Sequence, residues 1–189
     1  MAIYQFHMIV LPKKGVLDYF GELPSSVEIE DRKNRLDLMD SLIEEEFDYI
    51  GFIQQKCWEL AKVNADDIIK QIDQKLDRAN WGNDEQSNKW KTETKDLDND
   101  AWIFIDRNRN QIREFNFRAD LREANLKFLY DMIGLAREKG FLLADRKGNL
   151  VEPDSELVFG LVKRSNALRF VENPTEFLEG VIKGIIKIE

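Results

Sequence analysis

The stretch AWIFIDRNRNQIREFNFRADLR, residues 101–122, constrains the fold more than any other part of the chain. Its first six residues are dense in aromatic and β-branched side chains, which suit a pleated surface. Alternation sends Ile103 and Ile105 to one face of a strand and Trp102 and Phe104 to the other. Both faces are apolar, as in a central strand covered on at least part of each side. Arg107-Asn108-Arg109-Asn110 supplies the reversal, because asparagine tolerates positive φ and bonds its own backbone. Residues 111–118 return, with Phe115 and Phe117 on one face and Ile112, Glu114, Asn116 and Arg118 on the other. Residues 89–95 alternate Trp90, Thr92 and Thr94 against Lys89, Lys91, Glu93 and Lys95, and the loop 96–100 joins them to the hairpin. The three strands form a β-meander that runs into a helix.

The rest of the chain supplies one more long strand and several helices. Residues 3–11 alternate Tyr4, Phe6, Met8 and Val10 against Ile3, Gln5, His7, Ile9 and Leu11, and Pro12 stops the strand because it cannot donate to a ladder. Residues 13–40 read as an irregular segment, punctuated by Gly15, Gly21 and Pro24, with a short helix near 36–42. The three-to-four spacing of Ile43, Phe47, Ile50, Ile53, Cys57 and Leu60 predicts a long helix over 41–62. Asn64 caps a second helix over 65–79, and the short link makes the two a helical hairpin. A well-buried helix is expected over 123–139, ending at Gly140 in a left-handed cap. Residues 141–144 and 150–152 flank the turn cluster Asp145-Arg146-Lys147-Gly148-Asn149 as a small hairpin. Pro153 and Asp154 open a further helix bearing Leu157, Val158, Leu161 and Val162. Asn173-Pro174-Thr175-Glu176 opens the last one, with an N-cap, proline at the first helical position and an acid at the third. The expected fold is therefore a single α+β domain over residues 1–189. Its mostly antiparallel sheet has about four strands, and helices pack on one face.

Charge and cysteine content narrow the function. The net charge is −8, which opposes non-specific binding to nucleic acid or to an anionic membrane. A lone cysteine, Cys57, precludes an intrachain disulfide and suits a reducing compartment. No apolar run approaches the roughly 18 residues that cross a bilayer, and the first residues lack the basic start of a signal peptide. A cytoplasmic protein is expected.

His7, the single histidine, lies inside an apolar strand and reads as structural, because nothing near it in sequence supplies a nucleophile or carboxylate partner. Cys57 falls on an apolar helical stripe and reads as a buried, inert thiol. Asp96, Asp98 and Asp100 have the opening spacing of a calcium loop. Ala101 and Arg107 then occupy the positions that need glycine and a bidentate glutamate, so a solvated turn is expected and no metal site. No glycine-rich phosphate loop, nucleophile elbow or zinc-protease helix occurs. No catalytic residue and no cofactor is assigned. Arginines 107, 109, 113, 118 and 122 accompany Phe115 and Phe117, a mixture that can stack on RNA, but the glycine-bearing pattern of the common RNA-binding sheet is missing. Arg118, Asp120 and Arg122 are expected to form ion pairs where the meander ends. Residues 22–48 carry ten carboxylates against three basic residues, nearly the whole acidic excess. That segment reads either as a solvated acidic face or as a docking surface for a basic protein partner, with Glu30, Asp31, Asp37 and Asp40 as the candidate partner-binding residues.

The runs MAIYQFHMIVLPKKGVLDYFGELP, WIFIDRNRNQIREFNFRADLR, LLADRKGNLVEPD and SNALRFVENPTEFL, in this order, resemble small acidic proteins of bacterial toxin–immunity loci. These are similar to immunity proteins of polymorphic toxin systems, which bind and block a toxin domain. The resemblance lies in the order and style of elements and covers most of the chain. It implies a non-enzymatic cytoplasmic inhibitor and transfers no binding residue. Two other expectations stand beside it: a hydrolase or transferase that works through carboxylates, and an RNA-binding module.

Overall fold

The computed structural model describes residues 2–27, 49–92, 94 and 96–187. Six strands lie within them: β1 (Gln5–Pro12), β2 (Ser87–Lys91), β3 (Asp100–Asp106), β4 (Gln111–Asp120), β5 (Phe141–Asp145) and β6 (Leu150–Val151). They form one open antiparallel sheet in the order β2-β3-β4-β1-β5-β6. Seven helices accompany it: α1 (Lys13–Phe20), α2 (Tyr49–Ala61), α3 (Ala65–Asp73), α4 (Lys127–Lys139), α5 (Ser155–Val162), α6 (Asn166–Glu172) and α7 (Pro174–Ile182). The α+β class, the antiparallel sheet and the meander β2-β3-β4 match the sequence expectation. The sheet is larger than the expected four strands because the hairpin β5-β6 joins it through β1. None of the described helices is long and apolar enough to cross a membrane.

Alternation along β1 divides the core in two. Phe6, Met8 and Val10 enter a large cluster with Ile103, Phe115 and Phe117 of the meander, Ile68 and Ile72 of α3, Leu129 and Ile133 of α4, and Val158 and Leu161 of α5. Ile9 and Leu11 enter a smaller cluster with Val16 of α1, Ile53 and Cys57 of α2, and Leu142 and Ala144 of β5. Helices therefore cover both faces, not one. The expectation of a single covered face failed for two reasons: α2 turns Ile53 and Cys57 to the smaller cluster while α3 and α4 serve the larger, and α1 was not expected, since Gly15 and Gly21 look like breakers in sequence. Gly21 does end α1, with φ +81°. Gly15 instead lies buried where α1 crosses α2, and a Cβ there would stand 1.8 Å from the Cys57 carbonyl oxygen.

Helix α2 seats itself in a fork of the sheet. β1 pairs with β4 from Gln5↔Asp120 to Ile9↔Asn116. Beyond that point, the buried side chain of Gln54 takes the strand's place: its Oε1 accepts from the Phe115 N–H at 3.3 Å, and its Nε2 donates to Asn116 Oδ1 at 2.9 Å. The fork lets consecutive residues of α2 serve different cores. Cys57 belongs to the smaller cluster, while Trp58 crosses to the larger and packs edge-on against Phe141 with ring centroids 5.0 Å apart. Burying a side chain of this size contributes on the order of 3 kcal/mol. Leu60, expected on the buried stripe, is 38% exposed.

Several local signals appear as read. Asn64, Asp154 and Asn173 each accept a backbone N–H at the start of α3, α5 and α7. Gly140 closes α4 with φ +67°. Other boundaries moved. α3 stops at Asp73 because residues 77–79 turn along the outer edge of β2, with Ala79 N–H donating to the Lys89 carbonyl (2.9 Å) and Lys91 N–H to that of Asp77 (3.1 Å). The opposite edge is guarded likewise: Leu150 N–H donates to the Ser25 carbonyl and Val27 N–H to that of Gly148. Both edges of the sheet are thus closed to strand addition. In α7, Phe177 is buried, whereas Leu178 and Ile182 of the expected inner stripe are exposed.

Candidate functional site

With its edges closed, the sheet offers a ligand only its faces and ends. Register fixes what the second face carries. Three rows run across it: Ser87, Phe104, Glu114; Lys89, Trp102, Asn116; and Lys91, Asp100, Arg118, with His7 beside Arg118 on β1. The described helices α1 and α2 serve the cluster built on β1 and β5. Over β2 and β3, Lys89, Trp102 and Phe104 remain half-buried. Trp81, from the loop between α3 and β2, overhangs them and is 50% exposed. Together with Trp90, Asp100, Ala101 and Arg118, these side chains line a cleft of about 230 Å³.

The overhang is braced. Lys89 N–H donates to Asn83 Oδ1 at 2.8 Å, and the Ser87 hydroxyl donates to the Gly82 carbonyl at 2.8 Å. Lys89 Nζ stands 4.9 Å from the Trp81 ring centre and 6.0 Å from that of Phe104. Arg118 lies 5.3 Å over Trp102 while its guanidinium grips Asp100 with two hydrogen bonds, and the His7 ring also packs on Trp102, with centroids 5.3 Å apart. Cations over aromatic rings in a partly dry cleft hold both partners in place. The result is a preformed surface of three aromatic rings and two cations.

The carboxylates nearby are committed. Asp100 is buried and paired with Arg118, so it is not part of a solvated turn as expected, and Asp98 pairs with Lys91 at 2.9 Å. Asp120 is fully buried and accepts from the Asp98 N–H, the Arg122 N–H and the Arg122 guanidinium. Burial opposes its ionisation, but the Arg122 hydrogen bonds outweigh it and hold the carboxyl below its ordinary range. The same balance holds Asp73 down: burial opposes, while Arg78 and the Trp90 indole N–H at 2.7 Å prevail. The expected ion pairs at the end of the meander exist, with Arg118 turned to Asp100 and Arg122 to Asp120.

A second, larger cavity of about 390 Å³ opens at the far end of β1. His7 lines it, as do Arg146 and Lys147 of the β5-β6 turn and Arg164 after α5. Burial chiefly, with Arg146 and Arg118 nearby, lowers the His7 pKa to about 4 against a hydrogen bond with Asn116, so the imidazole is neutral at pH 7. Its Nε2 is buried without a hydrogen-bond partner. Cys57 is fully buried, and burial pushes its thiol up to about 12, as an inert core thiol requires.

Glu30, Asp31, Asp37 and Asp40, the partner-binding residues expected from sequence, lie outside the described residues, as does the first part of the long helix over 41–62. Phe115 and Phe117, considered for stacking on RNA, are buried in the main core and present no platform. The open cleft uses instead Trp102 and Phe104, whose shared face was visible in the alternation, and Trp81, which sat unnoticed in a polar loop. The three segments that enclose the larger cavity are far apart in sequence, and of its lining only His7 reads as a candidate site residue. The chain matches no known family, no curated protein and no solved structure.

Proposed function

We propose that the chain is a non-enzymatic protein-binding protein of the immunity type, which blocks a toxin domain by docking it on the open face around Trp81, Trp102 and Phe104. The observation that carries this reading is the half-exposed Trp81 braced over Lys89 beside two further aromatic rings. Tryptophan and arginine supply most binding hot spots, and a rigid anchor loses little entropy on association. Closed sheet edges favour docking on a face over strand addition. The acidic segment over 22–48, with Glu30, Asp31, Asp37 and Asp40, steers a basic partner toward this surface. Carboxylate catalysis is the less supported reading: a general acid needs an elevated pKa, and Glu59, Asp73 and Asp120 all shift downward.

The test is co-expression with the product of the neighbouring reading frame, followed by titration of the purified pair. Trp81→Ala should abolish protection and weaken binding by about 2 kcal/mol or more, the cost of a hot-spot truncation. Glu30→Lys with Asp37→Lys should slow association while leaving dissociation nearly unchanged. Undiminished binding by the Trp81 variant would remove the face from the interface. Quenching of the tryptophans by single-stranded RNA, with no binding to the toxin domain, would favour the RNA-binding alternative.

A further inference from the structure

The cavity of about 390 Å³ beside β1 is a different site from the open face, and nearly all of its polar groups are engaged within the fold. Asp145 accepts from the Lys147 N–H, the Asn149 N–H and the Asn149 side-chain amide, all within 2.9 Å. Gln5 accepts from the Ala2 N–H and donates to the Asp98 carbonyl. The Ser165 hydroxyl donates to the Val162 carbonyl and accepts from the Leu168 N–H, and the Asn166 amide donates to the Lys187 carbonyl. Arg146 and Lys147 have partners of their own, and Arg164 is exposed to solvent. Ile3, Phe6, Leu161 and Ala167 make the interior largely apolar. Among the described lining residues, one buried side-chain nitrogen is left without a partner, Nε2 of His7.

We propose that this cavity binds a small uncharged molecule with a compact apolar body and a single hydrogen-bond donor, the body on Phe6, Leu161 and Ala167 and the donor on His7 Nε2. Buried polar atoms ordinarily have a partner, so a bare nitrogen in the wall of an open cavity is where a ligand's donor would bond. The ring's hydrogen bond with Asn116 favours the protonated imidazole, as a bond donated by the ring does, and it falls to Nδ1 because Nε2 has no partner. In the neutral ring, Nε2 is then an acceptor alone. An ion would lose its hydration in an apolar interior whose carboxylate and turn cations are already engaged. The volume lies within the range of pockets that enclose small ligands, and an apolar lining with a few placed polar groups is their usual make-up.

The experiment uses the intact chain with phenol, anisole and benzoate, probes that share a ring and differ in the group it carries. Calorimetry gives affinity, and the imidazole nitrogen resonances belong to His7 without ambiguity because the chain has a single histidine. Phenol should bind with millimolar or better affinity and shift the Nε2 resonance. Anisole and benzoate, which offer no donor, should each bind about tenfold more weakly, the scale of one hydrogen bond, and leave Nε2 where it was. Proton–proton contacts from bound phenol should reach the methyl groups of Leu161 and Ala167. His7→Phe keeps a ring against Trp102 and removes the acceptor, so it should bring phenol down to the affinity of anisole. Should that variant not fold, the comparison of phenol with anisole on the parent protein decides the same point. Equal binding of phenol and anisole would overturn the role of His7 and the proposal with it. Benzoate bound as tightly as phenol would overturn the assignment to an uncharged ligand. Phenol contacts to Trp81 and Phe104 instead, or no phenol binding up to about 10 mM, would overturn the site itself.

Discussion

Gly15→Ala sets two forces of opposite sign against each other. In an unobstructed helix, replacing glycine by alanine stabilises by up to about 1 kcal/mol, through propensity alone. At Gly15 the new Cβ would fall 1.8 Å from the Cys57 carbonyl oxygen, which belongs to the backbone of α2 and cannot rotate away. Ordinary contact begins near 3.4 Å, so α1 and α2 must separate by about 1.6 Å. That displacement is felt beyond the crossing, because α2 carries Gln54 into the fork between β1 and β4 and Trp58 into the main core. Overpacking costs about 1–3 kcal/mol, and a loosened Gln54 would leave the buried Phe115 N–H unsatisfied at about 1–3 kcal/mol. Against a propensity gain of about 1 kcal/mol, the net loss is about 1–5 kcal/mol. In a chain of this length that lowers Tm by roughly 2–20 °C. Gly134→Ala is the control: it lies exposed in α4, with nothing within 4 Å of its Cβ, and should raise stability by up to about 1 kcal/mol. The two variants are compared by urea unfolding followed at the tryptophans. A Gly15→Ala protein as stable as the parent, or displaced in the same direction as Gly134→Ala, would refute the backbone contact and with it the account of how α2 is seated.

Acid should act on His7 first. Its folded pKa of about 4 lies below the ordinary 6.5, so stability is fully present above pH 6.5 and falls as the unfolded chain takes up a proton between 6.5 and 4. Urea midpoints should therefore drop from pH 7 to pH 5, a window above the ordinary range of carboxylates, and a drop of equal size in His7→Gln would contradict this. Asp120→Ala strips the Asp98 and Arg122 N–H groups of their acceptor and should cost about 2–3 kcal/mol, measured by the same unfolding curves; a cost under about 0.5 kcal/mol would place it among inert surface changes. Cys57 should react with a thiol reagent only as fast as the protein unfolds, and rapid labelling in native buffer would be at odds with a buried thiol held near 12. Millimolar calcium should leave the melting curve where chelator leaves it, since Asp98 and Asp100 are engaged with Lys91 and Arg118; a rise of several degrees would reveal a native-state site.

What could be read from the sequence was what the chain encodes locally. The strands of the meander and β1 show in strict alternation, and the three capped helices in an asparagine or aspartate beside the right neighbours. Failures arose where the meaning of a residue depends on a distant segment. Gly15 looks like a helix breaker until α2 is laid across it. Gln54 looks like a polar break in an apolar stripe until the sheet forks beside it. Phe141 to Ala144 read correctly as half of a hairpin, but nothing local says that its other edge pairs with residues more than a hundred positions earlier. The candidate sites divide in the same way. Trp102 and Phe104 were placed on a common face by alternation, yet that they lie half open follows from where the helices settle. The larger cavity has no sequence signature at all, because its lining comes from β1, a hairpin turn and a helix end that are far apart in the chain.

The position of β1 also sets an order of assembly. It precedes the other described strands and is an interior strand of the sheet, flanked by β4 and β5. During synthesis it leaves the ribosome with Phe6, Met8, Ile9, Val10 and Leu11 exposed, and its first partner follows only after about a hundred more residues. At 5–20 residues per second that wait is about 5–20 seconds. The meander needs no such delay, since each of its strands pairs with the next along the chain, and local pairs close fastest. The half-sheet β2-β3-β4 is therefore complete while β1 is still unpaired, and the inner edge of β4 stays open until β1 docks. In a crowded cell, the apolar strand most in need of a chaperone is therefore β1, whose partners are made long after it.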